Sequence, residues 1–208
     1  MQDTYDASNT PTPVSVNSTP LQDAQNSQSN PPISLECNSL YIATYQLPDT
    51  PGQGFFHWSL YLTDSFGKAT KYHWVEQPKR LVRITGYAED VAFGPMDPFN
   101  SFSDNMTMRV GLFKIDGVAP VEPTVMYQLA MNAFNTRGYP TVEGNRRHGL
   151  SCCTWVRQVL IKLYQRGYIQ RNERFSSRKI ENAVRDRSLQ LEQDLARGQL
   201  VQPGVMTI

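Results

Sequence analysis

The sequence predicts a single α+β domain in which an antiparallel sheet of about five strands packs against helices. Two observations support this class. Segments rich in β-branched and aromatic residues fill the first part of the chain after a polar tail, and segments with helical spacing fill the rest. Strands and helices in separate blocks favour α+β over an alternating α/β arrangement. With 208 residues, of which 39% are hydrophobic, the chain is long enough for one core.

Five segments are predicted as strands, and each is bounded by turn signals such as Pro51-Gly52 and Asp116-Gly117. They span residues 40–47, 55–63, 70–76, 81–87 and 107–115. The stretch before the last strand contains Gly94-Pro95 and Pro98, and is predicted as a loop.

Three helices are predicted after the strands. The first begins near Pro123 and ends at Gly138. The second is capped by Ser151 and keeps apolar residues on one face up to Gly167. The third, over residues 177–197, is strongly charged and amphipathic.

Composition divides the chain and excludes some function classes. Residues 1–33 are polar and are predicted as a disordered tail, which leaves residues 34–208 as one domain. The formal net charge of +1 argues against a nucleic-acid partner. Three cysteines, an odd number, together with the lack of a secretory signal and of a membrane span, predict a cytoplasmic protein. The oligomeric state stays open.

Cys152 is the candidate nucleophile. If Ser151 caps the helix, Cys152 lies in its first turn, where free N–H groups and the helix dipole favour a thiolate and can stabilise an oxyanion. Cys153 is the alternative nucleophile if the helix begins one residue later. In the alternative interpretation, both cysteines are packed in the hydrophobic core and have no catalytic role.

His57 is the candidate base. Along its strand, His57, Ser59 and Tyr61 alternate to one face, and Trp58 and Leu60 to the other. The small Ser59 leaves space beside the imidazole for another element to approach. The alternative is that His57 has a structural role only, with its hydrogen bonds satisfied within the sheet.

These residues resemble two motifs of one family. The run HWSLYL from His57, followed by a second histidine at His73, resembles the His-Trp-Ala-Leu-Tyr strand of the lecithin retinol acyltransferase-like family. The run SCCTWV from Ser151 resembles that family's Asn-Cys-Glu-His-Phe-Val motif, with Ser151 in place of the Asn. Over residues 40–168 the chain also looks like a group of fungal proteins with a His-Trp strand and a Gly-Cys-Arg-x-x-Trp-like helix start.

The resemblance implies a permuted papain-like (NlpC-type) core, in which the histidine precedes the cysteine. It implies Cys152 as nucleophile, His57 as base and His73 as the polar third member of the catalytic set. Three further residues are expected beside the substrate. Ser59 leaves space next to His57, Tyr61 can supply a hydroxyl to an oxyanion site, and Trp155 matches the aromatic position of the family's cysteine motif.

Two functions from different classes follow. In one, the protein is a cysteine-dependent hydrolase, acyltransferase or cyclase that acts on an ester, thioester or amide, with small-molecule biosynthesis as a possible setting. In the other, it is a binding or interaction module that keeps the fold. No cofactor and no metal are expected, because phosphate-binding loops and zinc-ligand spacings are absent from the sequence. The acyl donor and acceptor stay open.

Overall fold

A computed structural model describes residues 34–47, 53–96, 108–171, 175–199 and 204–208. The chain divides into Met1–Pro32 and Ile33–Ile208. The tail predicted over residues 1–33 lies outside the described residues.

Six strands and five helices make up the described fold, which confirms the α+β class. In chain order they are β1 (Leu40–Gln46), β2 (Phe56–Thr63), β3 (Ala69–Glu76), α1 (Lys79–Thr85), β4 (Glu89–Pro95), β5 (Arg109–Lys114), α2 (Pro123–Met131), α3 (Val142–Arg147), α4 (Cys152–Gln165), α5 (Ser177–Ala196) and β6 (Val205–Thr207).

The strands form one mixed sheet in the order β4-β3-β2-β1-β5-β6. The first five strands in chain order pair antiparallel, as predicted. The sixth, β6, lies parallel to β5 and pairs Leu112 with Val205. The prediction of a purely antiparallel sheet was therefore wrong at this edge, where a three-residue strand is too short to show periodicity.

The segment predicted as a strand over residues 81–87 is instead helix α1, which follows Pro78 and ends at Gly86 with positive φ. No residue of α1 is buried, so its apolar residues were misleading as a strand signal. The strand that pairs with β3 is β4, and its Glu89 lies opposite Glu76. The Gly94-Pro95 pair that had indicated a loop lies at the end of β4.

The helices over the second half agree more closely with the prediction. Helix α4 begins at Cys152 after Ser151, and α5 begins at Ser177. Helix α2 ends at Met131, before the predicted Gly138. The shorter helix leaves residues 132–138 as an irregular segment. Part of this segment lines a cleft together with Trp74 and Trp155.

Alternation along the strands assigns a different role to each sheet face. The face toward α4 carries apolar residues of β2, such as Trp58 and Leu60, which cluster with Val156 and Leu160 of α4. On the other face, Tyr41, Tyr45 and Tyr61 belong to a separate buried cluster. The candidate site lies at the N-terminal end of β2. Cys152 packs on the helix side of the sheet, and His57 is paired with Tyr45 of the opposite cluster.

Candidate active site

The N-terminus of α4 is fixed by a capping box. The Ser151 hydroxyl accepts from the Thr154 N–H at 3.2 Å, and the Thr154 hydroxyl accepts from the Ser151 N–H at 2.9 Å. Such a cap satisfies two N–H groups that would otherwise have no partner. The prediction that Ser151 caps this helix is confirmed, and Cys152 is the first helical residue.

The Cys152 thiol lies against the backbone of β2. Its sulfur is 3.8 Å from the Phe56 carbonyl oxygen, to which the S–H donates, and the Trp58 N–H is directed at the sulfur. Because β2 pairs with β3 only from Ser59 onward, these two backbone groups lie beyond the ladder. The thiol therefore occupies a gap where β3 has separated from β2.

His57 lies between those two peptide groups in the chain, and its imidazole contacts His73. His57 Nε2 and His73 Nδ1 are 3.2 Å apart, and the ring centroids are 5.4 Å apart in an edge-to-face arrangement. His73 is paired with Ser59 in the ladder, so the two histidines are diagonal neighbours on one face. The structure thus brings the predicted base and the predicted third member together.

Cys152 and His57 approach the gap from opposite sides. Phe56 and Trp58 belong to the helix-side cluster, whereas His57 is paired with Tyr45 of the opposite cluster. Within the described part of the chain, no hydrogen bond joins the Cys152 thiol to either histidine. The Nδ1 atom of His57 makes no hydrogen bond among the described residues, whereas Nε2 is engaged by His73.

Burial controls the protonation of all three groups. Desolvation raises the pKa of the Cys152 thiol, while the Trp58 N–H and the Arg146 guanidinium act in the opposite direction with less effect. Desolvation lowers the pKa of His57 to about 4 and that of His73 to about 3, and the charge of Lys71 adds to both shifts. At neutral pH the thiol is protonated and both imidazoles are neutral.

An ion pair between the exposed Arg146 and the buried Glu89 holds the chain in front of α4. Arg146 donates two hydrogen bonds of 2.7 Å to the Glu89 carboxylate and another of 2.7 Å to the Leu150 carbonyl. The fully buried Asn145 donates to Glu89 at 2.8 Å and accepts from the Tyr139 N–H at 2.7 Å. These contacts tie the turn before Ser151 to β4, and so fix the position of the helix N-terminus relative to the sheet.

The acidic half of this network is not evident from the sequence. No strand or helix is predicted for the segment that contains Asn145 and Arg146. The acidic partner, Glu89, begins a strand that had been predicted as a loop. A buried carboxylate needs a partner, but nothing in the sequence alone marks Glu89 as buried.

The three residues expected beside the substrate are all fully buried. Ser59 has a hydroxyl without a hydrogen-bond partner among the described residues. The Tyr61 hydroxyl pairs with that of Tyr45. Trp155 donates its indole N–H to the Ala130 carbonyl at 3.1 Å and lines a cleft on the helix side of the sheet. Their roles toward a substrate stay predictions.

The other two cysteines have different surroundings. Burial, with Glu181 nearby, raises the pKa of the Cys153 thiol to about 12, and its sulfur is 3.9 Å from the Arg185 guanidinium. Cys37 is exposed. Because α4 begins at Cys152, the condition under which Cys153 was the alternative nucleophile is not met. The Cys152 sulfur contacts the backbone beside His57.

Comparison with family models, curated proteins and solved structures finds no match for this chain. The permuted papain-like core is therefore a prediction that rests on the two motifs. Among the described residues, no three metal-ligating side chains come together. None of the described helices combines the length and hydrophobicity required to cross a membrane.

Proposed function

We propose that this protein is a cysteine-dependent acyl-transfer enzyme in which Cys152 is the nucleophile and His57 the base. The observation that carries the proposal is the position of the Cys152 sulfur, which lies on the two peptide groups that flank His57. A nucleophile and its base must come within hydrogen-bonding reach, and in unliganded sites this contact is often long.

The histidine pair supports the assignment of the base. Because His73 engages Nε2 of His57, Nδ1 is left to accept a proton. A base oriented by a third polar group is the general arrangement of such sites. His73 is accordingly a positioning residue, which holds the imidazole of His57 and does not itself contact the acyl group.

The protonation states define the first chemical step. The Cys152 sulfur attacks the carbonyl carbon of an ester, thioester or amide while the S–H proton passes to His57 Nδ1. The C–S bond forms, and the carbonyl electron pair moves onto oxygen. His57 then returns the proton to the leaving group as its bond to carbon breaks, and an acyl-enzyme remains. Water or another nucleophile takes the acyl group in the second half-reaction.

The first turn of α4 supplies donors for the oxyanion. The Ser151 side chain takes the Thr154 N–H, and the first intrahelical bond runs from the Trp155 N–H to Ser151. The N–H groups of Cys152 and Cys153 precede that bond and lie at the positive end of the helix dipole. Donors placed in this way stabilise the negative charge that develops in the transition state.

Acylation by an activated ester tests the proposal without knowledge of the natural substrate. A Cys37→Ser background removes the exposed thiol. We expect p-nitrophenyl acetate to acylate Cys152, as read by peptide mass spectrometry, and the matched Cys153→Ser variant to retain this reaction. His57→Gln should slow acylation by at least about 100-fold, the usual contribution of a general base.

A second function is favoured by one observation. The Cys152 thiol donates to a backbone carbonyl and has a raised pKa, as a structural cysteine would. If Cys152 is acylated no faster than Cys153, or at a rate that His57→Gln leaves unchanged, the chain is a binding module and the acyl-transfer proposal fails.

A further inference from the structure

Helix α1 has very little packing on the rest of the domain. It runs from Lys79 to Thr85, and none of its residues is buried. Val82 is half-buried, and the other residues of the helix are exposed. Because α1 connects β3 to β4 and these strands pair antiparallel, it lies at the end of the sheet where β3 ends and β4 begins. The helix therefore offers most of its circumference to a partner.

Two large apolar side chains of α1 are exposed. Leu81 is 44% exposed and Ile84 is 72% exposed, and neither belongs to the hydrophobic clusters of the described fold. Residues three apart are neighbours on a helix surface, so the two side chains form one small patch. Single exposed apolar residues are common, but an adjacent pair on a helix without a buried face has no packing role in the described structure.

The same helix concentrates positive charge. Residues 77–88 contain no Asp or Glu. The acids that flank this segment are Glu76 and Glu89, and Glu89 is already paired with Arg146. Three basic side chains lie on α1, and none of them forms an ion pair or a side-chain hydrogen bond within the described ranges: Lys79, Arg80 and Arg83. A chain with a net charge of +1 thus carries a local basic patch beside exposed apolar groups.

This combination fits an anionic lipid surface better than an acidic protein. A specific protein partner usually covers about 800 Å² on each side, over 20 to 30 residues, whereas α1 has seven residues. A lipid surface needs no shaped complement, because binding grows with each apolar side chain that enters it and each cation that lies near its headgroups.

We propose that α1 docks this protein on the surface of an anionic membrane. Leu81 and Ile84 enter the boundary between headgroups and acyl chains, and the basic side chains of α1 bind the negatively charged headgroups. The contact is peripheral and involves no membrane span. It goes beyond the acyl-transfer proposal and does not depend on it, although the Cys152 sulfur contacts Phe56 at the same end of the sheet.

Co-sedimentation of the full chain with vesicles tests the proposal. We expect binding to vesicles of equal parts phosphatidylcholine and phosphatidylserine, at least about tenfold weaker binding to phosphatidylcholine alone, and weaker binding at high salt. The double variant Leu81→Ser and Ile84→Ser should lower the partition at least about tenfold. Phe66→Ser is the matched control, because Phe66 is 90% exposed in the turn at the opposite end of β3, and it should bind normally.

Charge reversal tests the basic side chains. The double variant Arg80→Glu and Arg83→Glu should weaken binding at least about 30-fold. Arg178→Glu with Lys179→Glu, at exposed positions of α5, makes the same change in net charge and should have little effect. Circular dichroism shows whether each variant is folded, which is expected because α1 has no buried residue. Cys152→Ala should bind vesicles normally, so a failure of docking and a failure of acylation are distinguishable.

An environment-sensitive label shows whether α1 enters the lipid. In a Cys37→Ser background, a nitrobenzoxadiazole label on the Ile84→Cys variant should brighten with phosphatidylserine vesicles, whereas the same label on Phe66→Cys should not. If charge reversal weakens binding but the Ile84→Cys label stays dim, α1 contacts acidic groups without entering lipid, as on an acidic protein, and the proposal fails. Absence of binding to the anionic vesicles, or equal weakening by the α5 variant, would also overturn it.

Discussion

The face of the central sheet that meets α4 is apolar, whereas the opposite face carries both histidines. On β2 the two characters alternate residue by residue: Leu60 joins the helix-side cluster, and the neighbouring Ser59 lies opposite with an unpartnered hydroxyl. The apolar face supplies the packing that fixes the helix N-terminus. The polar face holds titratable groups whose buried, neutral state reduces stability in acid. The packing of the fold and the proposed chemistry therefore use different residues of the same strand.

The largest expected effect is the loss of stability caused by a substitution on the apolar face. Leu60 is fully buried in the helix-side cluster, so Leu60→Ala should lower the free energy of unfolding by about 2–5 kcal/mol. Ser59→Ala is the matched control one residue away, and should change stability by less than about 1 kcal/mol because the Ser59 hydroxyl has no partner to lose. Urea unfolding measures both. Equal losses in the two variants would contradict the proposed division between the faces.

Acid should act through the polar face. Below the ordinary histidine pKa of 6.5, both histidines become protonated in the unfolded chain. In the folded chain, His57 stays neutral down to about pH 4 and His73 down to about pH 3. Stability is therefore complete above pH 6.5 and falls as the pH drops toward 4, by at most about 1.4 kcal/mol per pH unit for each histidine. Urea unfolding at a series of pH values measures this slope.

Replacement of each histidine tests whether His57 and His73 cause the loss of stability in acid. His57→Gln and His73→Gln should each flatten the slope between pH 4 and 6.5, because the unfolded chain then binds one proton fewer. His148→Gln is the control, since His148 is exposed on α3's C-terminal side and stacks on Tyr139. A slope that is unchanged in both test variants would show that the buried pair does not control the acid response.

The smallest effect concerns the N-terminal cap of α4, the helix that packs on the apolar face. Ser151→Ala removes the capping box and should cost about 1 kcal/mol. Ser176→Ala, at the start of α5, removes a single 3.3 Å cap and should cost less. Thermal or urea unfolding gives both values. Ser151→Ala should also slow acylation of Cys152, which Ser176→Ala should not.

The sequence predicted best where local chemistry decides the structure. Alternation located β2, and a polar cap before an apolar stripe located Ser151 and the start of α4, because each signal lies within a few residues. It failed at α1 and β4, where the pairing of β4 with β3 overrides local preference. It could not place Glu89 or the Trp74 cleft, because both depend on segments that are distant in the chain.

The sequence also does not predict from which side of the sheet Cys152 reaches β2. Alternation places His57 and Ser59 on one face of β2, but it cannot say which face α4 covers. The place where β3 leaves β2 decides how the sulfur of Cys152 reaches the strand. That separation depends on the pairing of β3 with β4, which continues to Glu76.

The thiol in the gap of the sheet links covalent state to backbone dynamics. The Cys152 S–H donates a hydrogen bond to the Phe56 carbonyl, and the Trp58 amide N–H is directed at the Cys152 sulfur. Sulfur is a weak acceptor compared with a carbonyl oxygen. Each acyl group formed on Cys152 would remove the S–H donor and leave the Phe56 carbonyl unpaired. If Cys152 is acylated as proposed, exchange of the Trp58 amide proton with solvent should therefore differ between the free and the acylated chain.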